Sequence, residues 1–147
     1  TPEFSSLKNV GVQAGSYVFS DWCSRGIEGL EVFDYTLTVL TRCISTPRNG
    51  EVMFDFGMNS CSDESTHDYH NVVGPKFKDL EGVARLHQRE EISSVVLEKP
   101  NRDIRVGEVF ELLPPHSDTT AKLYDKYYCV RNDNVEAVWP NYGRGLF

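Results

Sequence analysis

Apolar and polar residues alternate most regularly across residues 33–44, "FDYTLTVLTRCI", where Phe33, Tyr35, Leu37, Val39 and Cys43 share one parity and Asp34, Thr36, Thr38 and Arg42 the other. On an extended chain a period of two separates these sets onto opposite faces, which predicts a half-buried strand, the longest of the chain. Shorter runs rich in β-branched and aromatic residues predict strands over 52–56, 92–97, 109–113, 127–131 and 135–139. Turn-forming clusters separate them, among them "TPRNGE" and "RNDNVE", the second short enough to close a tight hairpin. Helical spacing is weak throughout; residues 78–91 come nearest, and Gly82 interrupts them. The pattern predicts a mainly β domain, a small barrel or sandwich. The polar span 59–75, "NSCSDESTHDYHNVVGP", is long for a loop in a compact domain, a length common in functional segments.

Composition narrows the class. A chain of 147 residues with 39% apolar and 12% aromatic side chains can bury one sizeable core. A net charge of −7 and a pI near 5.0, with scattered basic residues, argue against a nucleic-acid or anionic-membrane surface. No apolar run reaches membrane-span length, and no basic-then-apolar leader opens the chain, so neither a membrane anchor nor a signal peptide is expected. Cys23, Cys43, Cys61 and Cys129 lie far apart with no CxxC pair, which fits thiols of a reducing compartment and predicts a cytoplasmic protein.

The candidate chemistry sits in "PPHSDTTAKLYDKYYCV", residues 114–130. If the chain runs on extended past the strand at 109–113, His116 and Asp118 at i and i+2 face one point, behind two prolines that restrict the backbone. An imidazole and a carboxylate suit Zn²⁺, Mn²⁺ or Mg²⁺, and two protein ligands leave coordination positions for water or substrate. The alternative is a turn capped by Asp118 with His116 as a surface residue, and spacing alone leaves both open. "HDYH" offers His67 and His70 as a second metal pair or as solvated loop residues. Tyr124, Tyr127 and Tyr128 read as core or cross-strand aromatics, and Lys122 and Lys126 as solvated surface lysines.

The stretch "PPHSDTTAKLYDKYYCVRNDNVEAVWPNYGRG" resembles the C-terminal signature of the D-threonine aldolase and D-serine dehydratase family, pyridoxal-phosphate enzymes with an alanine-racemase-like barrel followed by a β-domain. The shared features are the His116 and Asp118 pair, Leu123 and Asp125, the aromatic strand 127–130, Trp139 and Pro140, and Arg144 and Gly145. "TPEF" and "GVQAGSYVFSDW" resemble the family's segments at the end of the barrel. "EVMFDFGMNSCS" resembles its "D-x-G-x-K" segment, with Asp55 and Gly57 in place and Asn59 where lysine is usual. The family's "EHG" falls at "REEI", keeping Glu90 but not the histidine or glycine.

The resemblance implies that residues 1–22 are a remnant of the barrel's end and 23–147 the C-terminal β-domain, following a (β/α)8 barrel that is absent or truncated here. It implies metal ligation by His116 and Asp118, and proximity of Thr1, Gly15, Ser16 and Tyr17 to the cofactor phosphate. The catalytic Schiff-base lysine is expected upstream, which leaves the chain without a catalytic residue of its own and inactive alone. In the family an aspartate two places after the histidine marks the aldolases and a cysteine the dehydratases. Asp118 thus implies a divalent-metal-dependent lyase that cleaves D-3-hydroxy amino acids to glycine and an aldehyde, working as a homodimer. The alternatives are a D-serine dehydratase-type domain and a β-module for binding or dimerisation without catalysis.

Overall fold

The computed structural model describes residues 11, 15–24, 27–63 and 74–145. Thr1, His67 and His70 lie outside them. The strands are β1 (Val39–Arg48), β2 (Glu51–Phe54), β3 (Lys76–Phe77), β4 (Val83–Gln88), β5 (Ser93–Leu97) and β6 (Val109–Leu113). A short helix α1 (Ser117–Ala121) precedes β7 (Lys126–Arg131) and β8 (Asn134–Pro140). The first six form one antiparallel sheet in the order β3-β6-β1-β2-β5-β4, curled into a half-barrel, and β7 and β8 form a separate hairpin. The chain is mainly β, as its alternation predicts.

β1 is the longest strand, but it begins at Val39 rather than Phe33 and runs on to Arg48. Residues 33–37 alternate in burial without a sheet neighbour: the Thr36 amide donates to the Phe19 carbonyl at 3.1 Å, and the Thr36 hydroxyl to that of Val18 at 2.8 Å. Alternation reports which side is buried, not which strand lies alongside. Within β1 the predicted parity holds, with Val39, Thr41 and Cys43 inward. Buried Thr41 donates its hydroxyl to Asp55 Oδ1 at 2.9 Å, which also accepts the Arg42 amide at 2.6 Å, so Asp55 ties the end of β2 to β1. Asn49 and Gly50 close the β1–β2 hairpin, with Gly50 at φ +77. Asn132 and Asp133 close β7–β8 at φ 47 and 61, left-handed positions that these two side chains tolerate well.

The core is aromatic. Phe54 packs 4.8 Å from Phe77 and edge-on against Phe110 at 5.4 Å, with Phe56, Val39, Cys43, Val52, Val95 and Leu112 around them. Each such fully buried phenylalanine contributes about 2–3 kcal/mol of transfer free energy. Residues 78–91, the nearest approach to a helix in sequence, contain the edge strand β4 instead, and Gly82 at φ +78 stands just before it. All of β4 except Leu86 and Gln88 is exposed, so the two-residue period that marks half-buried strands is missing there.

Candidate functional site

β6 ends at Leu113 and delivers Pro114 and Pro115, both buried, to His116. His116 is extended, at φ −137 and ψ 122, and is the residue on which α1 begins. The chain does not continue extended through residue 119: it turns into α1 at Ser117, so the i, i+2 strand geometry expected for His116 and Asp118 is replaced by a helix start. Asp118 lies in the first turn of α1 and is exposed. The helix forms because tertiary contacts hold it. Buried Thr120 accepts the Ser62 amide at 3.1 Å and donates to the Ser62 hydroxyl at 3.1 Å, and Ser62 in turn donates to the His116 carbonyl at 3.4 Å.

The His116 ring is held by a residue that its sequence surroundings do not announce. Nδ1 donates to Asp21 Oδ2 at 3.0 Å, across 95 positions of sequence. The same oxygen accepts the Ser117 amide at 3.0 Å and the Ser117 hydroxyl at 3.2 Å, while Oδ1 accepts the Ser24 amide at 2.8 Å. Burial opposes ionisation of Asp21, but the hydrogen bonds from Ser24, His116 and Ser117 outweigh it and hold its carboxyl below the usual aspartate value. The Asp21 segment docks through its main chain: the Trp22 amide donates to the Pro114 carbonyl and the Cys23 amide to that of Pro115, both at 3.2 Å. The Phe19 ring packs tilted against Tyr127 of β7, with centroids 5.7 Å apart. The available signal is in "GSYVFSDW": a carboxylate in a run of small and aromatic residues tends to be buried with partners.

Tyr127 is half-buried, and burial together with the charge of nearby Asp118 pushes its phenol up. Tyr128 instead faces solvent, and Tyr124 donates to the Ser60 carbonyl at 2.6 Å, its phenol pushed up to about 12 by burial. Lys122 and Lys126 are exposed. Gly15 precedes the 3-10 turn Ser16–Val18, with no neighbour among the described residues within 4 Å of where a β-carbon would stand, and Tyr17 is exposed. Arg144 pairs with Asp125 and donates to the Lys122 carbonyl at 2.7 Å, closing the turn after β8. The four cysteines form no disulfide, and burial pushes the Cys61 thiol up to about 12.

Imidazole and carboxylate are donor types that divalent metals accept. An imidazole whose Nδ1–H is bound by a carboxylate presents its lone pair on Nε2, the arrangement common to metal-ligating histidines, and Asp118 adds an exposed carboxylate two residues on. No group of three or more His, Cys, Asp or Glu side chains forms a cage among the described residues. No helix among the described residues is long and apolar enough to cross a membrane.

Residues 36–130 match the family described as the putative serine dehydratase domain. The chain is 28% identical to the D-threonine aldolase of an Arthrobacter species, over 98% of this chain and 37% of that protein. It is 26% identical to the 3-hydroxy-D-aspartate aldolase of Paracoccus denitrificans, over 91% and 34%. The crystal structure of D-threonine aldolase from Filomicrobium marinum superposes with a TM-score of 0.78 at 27% identity, covering 92% of this chain and 36% of the other. An alanine-racemase-like protein from Idiomarina loihiensis shares the fold, with a TM-score of 0.69 at 19% identity, over 93% of this chain and 39% of that one. The chain thus spans little more than a third of the length of the relatives it matches.

Proposed function

The chain belongs to the putative serine dehydratase domain family, and from that premise we propose that it is the metal-bearing β-domain of a D-threonine aldolase-like lyase. The reaction is retro-aldol cleavage of D-3-hydroxy amino acids to glycine and an aldehyde. The observation that carries the reading is the start of α1, where an imidazole fixed from the protein side stands two residues from an exposed carboxylate. The two curated aldolase relatives support the aldolase branch over the dehydratase branch, as does a carboxylate rather than a thiol at position 118.

His116 and Asp118 would hold the divalent metal, Mn²⁺, Mg²⁺ or Zn²⁺, which would supply Lewis acidity to the substrate's β-hydroxyl and so ease loss of its proton to a base. Pyridoxal phosphate supplies the electron sink for that cleavage. Its Schiff-base lysine would lie upstream on a (β/α)8 barrel of which residues 1–22 are a remnant of the end, with 23–147 as the β-domain. Thr1, Gly15, Ser16 and Tyr17 are the proposed contacts of the cofactor phosphate, as the family resemblance implies. The complete protein works as a cytoplasmic homodimer on a small amino-acid substrate, without nucleic acid or membrane; cysteines outside any disulfide support the compartment.

The test compares cleavage of D-threonine with dehydration of D-serine by the complete protein. Chelation should abolish cleavage and Mn²⁺ restore it, while His116→Ala and Asp118→Ala should stay inactive with pyridoxal-phosphate absorbance intact. Full activity of both variants after exhaustive chelation would falsify the metal reading.

A further inference from the structure

We propose that Asp21 is a positioning residue of the metal site: it fixes the His116 imidazole as the Nδ1–H form and so commits Nε2 to the metal. The inference rests on the metal reading of His116 and adds a residue from the far end of the chain to it.

The geometry is that of an oriented acceptor. The Asp21 side chain is 1% exposed, and four hydrogen bonds reach its two oxygens from His116 Nδ1, the Ser117 amide and hydroxyl, and the Ser24 amide. A buried carboxylate is costly unless so satisfied, and once satisfied it has no rotational freedom. Two of its partners belong to Ser117, the residue next to His116, so carboxylate and imidazole are referenced to the same stretch of main chain. The backbone bonds from Trp22 and Cys23 to the Pro114 and Pro115 carbonyls hold the two segments in register. An ionised carboxylate only accepts, so the nitrogen facing it carries the proton and a neutral ring has its lone pair on Nε2. Such a partner also raises the ring's basicity as a ligand, and its loss typically weakens metal affinity about 10–100-fold.

Two measurements on the complete protein test this. In apo wild type carrying ¹⁵N-histidine, long-range ¹H–¹⁵N correlation should find neutral His116 as the Nδ1–H tautomer; the Nε2–H tautomer overturns the proposal whether or not any variant folds. Mn²⁺ titration followed by electron paramagnetic resonance should show Asp21→Asn binding about 10–100-fold more weakly than wild type, with cleavage largely regained at saturating Mn²⁺. In a His116→Ala background the same substitution should leave residual Mn²⁺ binding unchanged, which a merely structural role would not predict. A folded Asp21→Asn protein that binds Mn²⁺ like wild type, while His116→Ala does not, sinks this inference and leaves the metal reading standing. If His116→Ala also binds like wild type, the metal reading itself has failed.

Discussion

Gly57 meets the main chain of Glu90 so closely that a β-carbon on it would lie 2.3 Å from the Glu90 carbonyl oxygen. The Met58 amide donates to the Arg89 carbonyl at 2.7 Å and the Asn59 amide to the Glu90 carbonyl at 2.9 Å, so the "DFGMN" and "REEI" segments form one backbone contact. Their side chains depart from the family's pattern at Asn59 and after Glu90, but this contact uses the main chain. Gly57→Ala should therefore destabilise the complete protein by about 2–4 kcal/mol. An unchanged urea midpoint would show that residues 89 and 90 give way without cost.

Thr120→Val should cost about 1–3 kcal/mol, because it leaves the buried Ser62 amide without its acceptor. Ser62 holds the His116 carbonyl, so metal affinity should fall along with stability. Thermal unfolding and Mn²⁺ titration of one preparation would separate these effects; a lower Tm with unaltered Mn²⁺ binding would break the link.

Stability should decline at alkaline pH, in part through Cys61. Burial raises its thiol from 9.0 to about 12 in the folded chain. Between those values the unfolded state has released its proton and the folded state has not, so stability is full below about pH 9 and falls as pH rises toward 12, on the order of 1 kcal/mol per pH unit. Urea melts at pH 8 and 10.5 should show a smaller decline in Cys61→Ala than in wild type, and equal slopes would remove Cys61 from the account.

The β7–β8 hairpin carries Tyr128, Val130, Val135 and Val138 exposed on one face, with Tyr128 paired to Val138 and Val130 to Val135 across the strands. If this face packs against the rest of the complete protein or its second copy, Tyr128→Lys should weaken assembly while this domain's stability stays within about 0.5 kcal/mol. Light scattering after size-exclusion chromatography reads the mass, and a wild-type assembly would argue that the face stays in solvent.

Some of this architecture is local enough to read in the chain. β6 begins and ends where its apolar run does, and the inward parity of β1 follows from alternation alone. "RNDNVE" closes its hairpin because Asn132 and Asp133 tolerate left-handed backbone. β4 was hidden because an edge strand with both faces largely wet has no alternation to display, and α1 because two prolines favour an extended entry while a single helical turn has almost no stability of its own.

The sequence by itself determined the residue types of the site, the β class, and the position of His116 and Asp118 just after a buried strand, since each depends on neighbours within a few residues. Only the tertiary structure decided how that site is held. Asp21 reaches His116 across 95 positions, and Ser62 reaches Thr120 across 58, because sheet curvature and main-chain docking bring the segments together. A hydrogen bond between distant residues leaves no periodicity in sequence; its donor and acceptor each look ordinary until the fold removes them from water.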